Sequence, residues 1–300
     1  MSFARLVRNS FISLASFGLG VVFDRQFNLY AKVANQNILD DELNRIDQID
    51  SSRSKSIFPR YEYDNSTMVQ QIGKYGFPST DSIRSYKNFV LSYDRRNRIA
   101  NWVLEYVTID DITSDHYDRS GLDFHEDQSF HRYFRSTNQD YKSSGYDRGH
   151  LAAAGNYRSN PKFIAETYVL SNIAPQIGVG FNRDKWNELE RYCRKRIREV
   201  KAAWICTGPL YLARKDPNNG KHYIEFEVIG PNQVSVPTHF FKVLLYEKDG
   251  HYRMESFVMP NEKINEKVSI QSFKVNPEVI ERSAGLLLFN QLPRKMIQMN

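Results

Sequence analysis

The tetrapeptide Asp147-Arg148-Gly149-His150 lies near the middle of this 300-residue chain and decides how the rest is interpreted. A given string of four residues occurs by chance in such a chain at roughly the 0.002 level, taking about 5% for each residue type. An imidazole with a pKa near ~6.5 is suited to accept a proton at physiological pH, and a guanidinium beside it can bind an anion. Taken alone, the tetrapeptide is equally consistent with a turn that holds a hydrogen-bonded structural histidine.

A second polar cluster follows and leads into a helical pattern. Residues Ser171 to Gln176 read Ser-Asn-Ile-Ala-Pro-Gln, and Asn182, Trp186 and Glu190 come next. Asn182 lies where the helix is predicted to begin, so it is either an N-cap residue or a rigid amide-oxygen ligand for a hard cation. Glu190 lies roughly 80° around the helix from Asn182. Its carboxylate is either an ordinary exposed acid or a group that orders a metal-bound water.

The helix predicted from Asn182 to about Lys201 is amphipathic. At roughly 100° per residue, its apolar side chains fall within one narrow stripe formed by Trp186, Leu189, Cys193 and Ile197. Its other faces carry basic residues, namely Arg183, Lys185, Arg191, Arg194, Lys195, Arg196 and Arg198. These faces are either simply solvated or form a surface that follows a nucleic-acid backbone.

Short β-patterned segments dominate the rest of the chain. Residues 86–93 and 98–108 are rich in aromatic and β-branched residues and flank Asp94-Arg95-Arg96-Asn97, which predicts a hairpin. Further elements are predicted as strands over residues 167–173, 203–207, 223–229, 240–246 and 252–258, and as a second helix over Pro277 to Ala284. Several strands with few long helices indicate an α+β fold.

Residues 110–140 are predicted to form a polar loop that is interrupted only at Phe130 to Phe134. Three histidines lie among its acidic residues, namely His116, His125 and His131. Their spacing fits no zinc or calcium pattern, which favours a solvated loop over a metal cluster. His239, in a separate segment, is predicted to be a structural, hydrogen-bonded histidine.

The composition is that of a globular protein with an excess of positive charge. Hydrophobic residues make up 41% and charged residues 25% of the chain, which excludes bulk disorder. The net charge of +6 favours a polyanionic partner. The chain has two cysteines, Cys193 and Cys206, which exclude a disulfide scaffold and a cysteine-rich zinc site. Both are predicted to be free residues of the core.

The N-terminal residues have the pattern of a targeting segment. Arg5 and Arg8 precede an apolar run from Phe11 to Phe23, and no acidic residue occurs before Asp24. The run is shorter than the ~20 residues of a membrane-spanning helix. Composition therefore favours a secretory signal, a mitochondrial presequence or a signal anchor over residues 1–24. A polar linker is predicted over residues 25–60.

Together, these residues resemble the DNA/RNA non-specific endonucleases of the ββα-metal class. The matching pattern runs from Gly76-Phe77-Pro78 to Val236-Pro237-Thr238-His239-Phe240 and includes Tyr168-Val169-Leu170-Ser171-Asn172 and Thr207-Gly208-Pro209-Leu210. The resemblance implies an α+β fold with a ββα-metal core and a mixed, mainly antiparallel sheet. It places the nuclease domain at residues 61–257 and a short, packed helical extension at residues 258–300.

The resemblance also implies a role for each site residue. His150 is expected to be the general base and Asn182 the only direct protein ligand of Mg²⁺, with Mn²⁺ as a substitute. Glu190 is expected to hold a metal-bound water and Asn172 to support the site. Two arginines, Arg148 and Arg119, are expected to bind phosphate. The products would carry 5′-phosphate and 3′-hydroxyl ends. The lead-in Gly178-Val179-Gly180-Phe181 departs from the usual pattern, which predicts an altered loop near the metal.

The partners implied are DNA and RNA substrates and a second copy of the chain in a homodimer. The N-terminal segment would direct the chain to the mitochondrion or contact its inner membrane as an anchor. The family contains endonucleases and 5′–3′ exonucleases, and the sequence does not separate the two. The competing hypothesis is a catalytically silent nucleic-acid-binding module with the same fold. The intact pair of His150 and Asn182 favours the enzyme.

Overall fold

The computed structural model describes residues 67–113 and 121–299. The predicted hairpin is present and forms part of a large sheet. The strands are β1 Ile83–Ser85, β2 Phe89–Asp94, β3 Ile99–Thr108, β4 Tyr146–His150, β5 Ile173–Ile177, β6 Ala202–Leu210, β7 Arg214–Lys215, β8 His222–Tyr223, β9 Val228–Ile229, β10 Val234–Ser235, β11 His239–Lys248, β12 His251–Pro260 and β13 Ile297–Met299. The α-helices are α1 Thr67–Ile72, α2 Ile109–Thr113, α3 Asn138–Tyr141, α4 Pro161–Glu166, α5 Asn187–Val200 and α6 Pro277–Ala284. Short 3₁₀ turns lie at Gly73–Tyr75, Arg132–Phe134, Ala154–Asn156, Leu170–Asn172, Ile270–Phe273 and Arg294–Met296.

Seven strands form one sheet in the order β1-β2-β3-β6-β11-β12-β13. Every neighbouring pair is antiparallel except β12 and β13, which run parallel. The central strands β6 and β11 are buried along almost their whole length, because elements cover both faces of the sheet. The predicted α+β class with a mixed, mainly antiparallel sheet is therefore confirmed.

A separate two-stranded unit carries the Asp-Arg-Gly-His signature. Strand β4 pairs antiparallel with β5, and His150 lies opposite Ile173. The chain then passes through an irregular π-helical segment, Gly178–Trp186, into α5. The predicted apolar stripe of this helix is fully buried, which explains why α5 packs against the sheet. The result is the expected ββα unit.

Three secondary-structure predictions were wrong in part. Residues 167–173 are not a strand, because Leu170–Asn172 forms a 3₁₀ turn and the strand begins at Ile173. Residues 223–229 form only the end of β8 and the short β9, and most of their side chains are exposed. The regular helix begins at Asn187 instead of Asn182, since the preceding π-helical segment contains two non-helical residues. In contrast, α6 has its predicted bounds.

A buried carboxylate joins α5, the sheet and the C-terminal residues. Glu255 on β12 is 1% exposed and accepts hydrogen bonds from Tyr192 (2.6 Å) and Tyr246 (2.8 Å). Its two cationic partners are Arg196 on α5 at 3.1 Å and Lys274 at 2.8 Å. These contacts hold the pKa of the Glu255 carboxyl below its usual value despite burial. They fix α5 against β12 of the sheet.

The predictions for residues 1–24 and 25–60 lie outside the described residues. The described residues belong to one unit that spans Glu62–Asn300. In that part of the chain, no helix has the length and apolar character needed to cross a membrane. Residues 258–300 contribute α6 and also β13, and β12 itself continues to Pro260.

Candidate active site

A cleft of about 750 Å³ opens between the ββα unit and the 3₁₀ turn at Ala154–Asn156. Six arginines line it, namely Arg148, Arg158, Arg183, Arg191, Arg194 and Arg198. The uncharged polar and aromatic residues of the lining are His150, Asn182, Asn187, Phe124 and Tyr168. Among the described residues of the lining, Glu190 is the one acidic side chain. This strong excess of positive charge in a concave site suits a polyanionic ligand.

Asp147 organises the end of the cleft that contains Asn182. Its carboxylate accepts a fork of two hydrogen bonds from Arg183, at 2.8 and 2.6 Å, and a third at 2.9 Å from the amide nitrogen of Asn182. The bonds from Arg183, followed by that from Asn182, lower the pKa of the Asp147 carboxyl. Because the amide nitrogen of Asn182 faces Asp147, its oxygen is left for another ligand. Asn182 is thus not an N-cap residue.

His150 is held on the cleft wall by aromatic packing and by the backbone that follows it. Its ring lies edge-on to Tyr168, with centroids 4.9 Å apart, and 5.4 Å from Phe124. Asn172 is fully buried behind it and accepts a hydrogen bond from the backbone nitrogen of Ala152 at 2.9 Å. The amide nitrogen of Asn172 donates to the carbonyls of Ala152 (3.1 Å) and Thr167 (2.9 Å). Asn172 therefore clamps the chain just after His150 and does not reach the cleft.

Arg148 projects from the same strand into the cleft. Its guanidinium donates to the side-chain oxygen of Asn138 at 2.7 Å and stacks over Phe124, 4.4 Å from the ring centroid. Asn138 also donates to the carbonyl of Phe124 at 2.6 Å. Asn138 thereby joins the arginine to the loop that carries Phe124, and the guanidinium is held by one hydrogen bond and one ring.

The loop that carries Phe124 is anchored by a buried carboxylate. Asp127 accepts hydrogen bonds from Tyr86, from Ser171 at 2.7 Å and from the backbone of Ser129 at 2.9 Å. These hydrogen bonds outweigh the opposing effect of burial and lower the pKa of the Asp127 carboxyl. The loop is thus tied to the segment that precedes β5.

Glu190 and Arg194 lie on successive turns of α5 and face the cleft. The side chains are 16% and 8% exposed, and their nearest charged atoms are 3.9 Å apart. Arg194 donates at 3.1 Å to the side-chain oxygen of Asn156. The amide nitrogen of Asn156 donates at 3.0 Å to Glu105, a fully buried residue of β3. Burial raises the pKa of the Glu105 carboxyl to about 7.

The comparisons with known proteins decide the family. The sequence of residues 68–295 matches the model of the family described as DNA/RNA non-specific endonuclease. The chain belongs to this family. It is 47% identical over 229 residues to "Endonuclease G, mitochondrial" of Caenorhabditis elegans, an alignment that covers 76% of this chain and 74% of that protein.

Two further relatives agree. "Nuclease EXOG, mitochondrial" of Homo sapiens is 36% identical over 236 residues, which cover 77% of this chain and 63% of that protein. The solved structure described as "Crystal structure of the EndoG/EndoGI complex: Mechanism of EndoG inhibition" is similar with a TM-score of 0.76 at 51% sequence identity. It covers 79% of this chain and 97% of that chain. This member of the non-specific endonuclease family is accordingly a nuclease, and the resemblance read from the sequence is confirmed.

The cleft brings together most of the residues predicted for this non-specific endonuclease. His150, Arg148, Asn182 and Glu190 line it, and Asn172 lies buried behind His150. Arg119 lies outside the described residues. Within the described ranges, no three histidine, cysteine or carboxylate side chains are grouped so that they could hold a metal ion.

Several cleft residues have no counterpart in the motifs used for prediction. Four arginines of the predicted basic faces line the cleft, namely Arg183, Arg191, Arg194 and Arg198. Asn187 was not singled out, although it recurs with them at helical spacing on one face. The basic faces of the helix are in fact divided, since Lys185 and Lys195 do not line the cleft and Arg196 binds Glu255. Arg158 and Phe124 come from other elements, and no local pattern indicates them.

The remaining sequence predictions concern residues outside the cleft. Cys193 and Cys206 are buried free thiols, as predicted. His239 bonds the hydroxyl of Thr238 at 2.9 Å, and burial lowers its pKa to about 4, which agrees with a neutral structural histidine. His131 accepts a backbone hydrogen bond at the start of the 3₁₀ turn Arg132–Phe134. The altered lead-in holds Gly180 at a φ of +89°, where its N–H donates to Asp184 at 2.6 Å.

Proposed function

We propose that this chain is a Mg²⁺-dependent, sugar-non-specific nuclease that hydrolyses DNA and RNA to 5′-phosphate and 3′-hydroxyl ends. The observation that carries the proposal is the cleft itself, where His150 and Asn182 face a lining of six arginines. Phosphodiesters are anionic, so their hydrolysis needs a base for water and cations for the developing charge. The cleft holds both kinds of group.

The residues around Asn182 fit a magnesium ion. Mg²⁺ prefers oxygen ligands, keeps several of its waters and is held by few protein groups. The hydrogen bond from Asn182 to Asp147 leaves the amide oxygen available, and Glu190 adds a carboxylate to the same cleft. Asn182 would therefore hold the ion directly and Glu190 would hold one of its waters. When bound, the ion supplies Lewis-acid stabilisation of charge on the phosphate oxygens. Mn²⁺ has similar ligand preferences.

Each remaining step falls to the chain's own residues. A ring nitrogen of His150 takes the proton of the attacking water, while Tyr168 and Phe124 hold the ring in position. Arg148, stacked on Phe124, binds a non-bridging phosphate oxygen. Asn172 acts only by fixing the backbone after His150. Arg119 is proposed as a further phosphate ligand on the family resemblance alone.

The domain boundaries, location and assembly are proposed on the resemblance and on the relatives' names. Residues 1–24 would form a mitochondrial targeting segment or inner-membrane anchor, and residues 25–60 a linker. Residues 61–257 would form the nuclease domain, with residues 258–300 packed on it. The chain would act as a homodimer. Deletion of residues 1–24 should make a fluorescent fusion diffuse in the cell, and unchanged mitochondrial targeting would contradict this assignment.

The test is digestion of a plasmid and of an end-labelled oligonucleotide by the purified chain with Mg²⁺ or with EDTA. Loss of a general base costs about 10²–10⁴-fold, so H150A should abolish visible cutting. Relaxed circles would indicate endonuclease activity, and stepwise shortening from the 5′ end would indicate exonuclease activity. If wild type and H150A bind DNA equally and neither cuts it with any divalent metal, the chain is a silent binding module.

A further inference from the structure

A buried ammonium group lies between the sheet and the ββα unit. Lys242 on β11 is 1% exposed, and its Nζ donates a hydrogen bond to the hydroxyl of Thr207 on β6 at 2.6 Å. A longer hydrogen bond, at 3.5 Å, runs from Nζ to the carbonyl oxygen of Leu151, and the ring centroid of Trp186 is 4.9 Å away. An ammonium has three N–H donors, and these three neighbours match them. Because burial of a charge costs free energy, a lysine at this position needs a reason beyond packing.

The contact with Leu151 completes the hydrogen bonding of the two residues that follow His150. The N–H of Leu151 donates to the carbonyl of Asn172 at 3.0 Å, and both backbone groups of Ala152 bond the side chain of Asn172. The carbonyl of Leu151 is the fourth polar backbone group of this dipeptide, and Lys242 is its partner. Both residues are fully buried, so bulk water has no access to these groups. Asn172 and Lys242 therefore share the task of holding the chain after His150.

The same ammonium contacts the segment that carries Asn182. Trp186 ends the π-helical segment Gly178–Trp186, four residues after Asn182, and its side chain is almost fully buried. Lys242 lies over the ring of Trp186, where the positive charge is attracted to the π face. One side chain thus contacts both the backbone after the proposed general base and the residue that anchors the proposed metal ligand. This double contact fixes the spacing between His150 and Asn182.

The charge of Lys242 is balanced across β6 by Glu105. Lys242 lies opposite Thr207 and Glu105 lies opposite Ile205, two residues earlier on β6, so both charged side chains are on the same face of the sheet. Burial raises the pKa of the Glu105 carboxyl, and the ammonium of Lys242 is the strongest influence that lowers it. Without the ammonium, folding would have to bury the Glu105 charge unbalanced or protonate it. Either route costs stability, and this cost is separate from the position of Leu151.

We propose that Lys242 is a positioning residue for hydrolysis, whose ammonium fixes the backbone after His150 relative to the segment of Asn182. Thr207 holds the ammonium in place. Lys242 is buried and is not among the described residues that line the cleft, so it acts through its neighbours and not on the substrate. A displacement of about 1 Å between reacting groups can cost ~10²-fold in rate. This inference rests on the proposed function, which assigns the base and the metal ligand.

The primary experiment separates position from stability, in the full chain with Mg²⁺ at pH 8, above the pKa of about 7 for Glu105. K242M removes the ammonium and should lower kcat ~10- to 100-fold. It should also lower the melting temperature, because Glu105 loses its balancing charge. Addition of E105Q removes the buried carboxyl and should restore at least half of the lost melting temperature but none of the lost kcat. Recovery of kcat together with the melting temperature would overturn the positioning role.

The matched control for K242M is K248M, the same change at the end of the same strand. Lys248 is partly exposed at the last position of β11, so K248M should equal wild type in kcat, KM and melting temperature. In K242M and in the double variant, KM for an oligonucleotide should be unchanged, because the arginines of the cleft are all present. A rise in KM at constant kcat would overturn the proposal, since it would mean that Lys242 affects substrate binding.

Variants of Thr207 test the same contact without removal of the charge. T207V removes the hydroxyl that holds the ammonium and should lower kcat with KM unchanged. T207S keeps the hydroxyl and should retain most of the wild-type kcat. Equal kcat values for T207V and T207S would overturn the proposed hold on the ammonium. If the double variant of Lys242 and Glu105 fails to fold, this pair decides the proposal.

Hydrogen exchange tests the position of the backbone without relying on catalysis. In peptides that cover residues 150–153, amide protons should exchange faster in the double variant and in T207V than in wild type, T207S or K248M. Unchanged exchange in these peptides would overturn the proposal, whatever the rates. If wild type cuts neither DNA nor RNA with Mg²⁺, the proposed function fails, and exchange still decides whether Lys242 holds this part of the chain.

Discussion

Asp147 affects the cleft without lining its main cavity. Its carboxylate holds Arg183 by a two-pronged contact and orients the amide of Asn182. Gly178 lies close to it, since a Cβ atom there would be 3.0 Å from the carboxyl group. The first residue of the signature is therefore explained by its contacts with residues that come much later in the chain. A carboxylate that orients a metal-binding residue commonly changes metal affinity without touching the metal.

Replacement of Asp147 by asparagine should weaken the site. D147N removes the charge that binds Arg183, and its amide can no longer accept all three hydrogen bonds, so Asn182 loses its fixed orientation. We expect activity at limiting Mg²⁺ to fall ~10- to 100-fold and the half-saturating Mg²⁺ concentration to rise. Nuclease rates across a Mg²⁺ titration measure both. D249N, with the same change of charge in the exposed turn between β11 and β12, is the control. An unaltered Mg²⁺ dependence in D147N would contradict the proposed role.

At the scale of elements, the sequence predicts what depends on local periodicity and fails where distant contacts decide. The apolar stripe of α5 and the β2–β3 hairpin follow from patterns of spacing, and both are present. The π-helical segment Gly178–Trp186 was not predicted, because it involves the packing of Gly178 against Asp147 and a hydrogen bond from the backbone N–H of Gly180 to the Asp184 carboxylate. The position of Phe124 in the cleft wall could not be predicted from the sequence either, since it depends on the tertiary hydrogen bond between Ser171 and Asp127.

The pairing of β4 with β5 depends on Gly149, which lies between the cleft residues Arg148 and His150. A Cβ atom on Gly149 would lie 2.1 Å from Oε1 of Gln176, whose side chain is fully buried and cannot swing away. G149A should therefore destabilise the protein by about 1–3 kcal/mol through overpacking and lower nuclease activity by shifting His150. Urea denaturation measures the first effect and plasmid cutting the second.

Shortening the opposing side chain provides the matched control for that prediction. Q176A alone should cost stability, because it leaves a cavity. In the Q176A background, however, the added methyl group of G149A has room, and its cost should fall to less than half. A cost of G149A that is the same in both backgrounds would show that Gly149 is needed for its backbone conformation and not for its contact with Gln176.

At the scale of the whole molecule, positive charge is concentrated where the fold leaves a concavity. The net charge of +6 is modest, yet among the described residues six arginines line one cleft together with one carboxylate, that of Glu190. Folding must hold these like charges together without an anion. Three polar side chains hold individual arginines in fixed positions by hydrogen bonds. Asp147 binds Arg183, Asn138 binds Arg148 and Asn156 binds Arg194. The helix α5, which supplies three of the six arginines, is in turn fixed against β12 by Glu255.

The Glu255 cluster should therefore contribute to the stability of the whole nuclease in a pH-dependent way. E255Q keeps the shape of the side chain but leaves Arg196 and Lys274 without their carboxylate, which should cost about 2–3 kcal/mol at pH 7. The pKa of Glu255 is lowered in the folded state, so its contribution is present above the unfolded value of 4.5 and is lost as the pH falls through the folded value. The difference between E255Q and wild type in urea denaturation should shrink below pH 4.5. Glu247 is an exposed glutamate on β11, and E247Q should have the same free energy of unfolding as wild type at both pH values. If E255Q remains equally less stable than wild type at pH 3, the charge of Glu255 is not what stabilises the cluster.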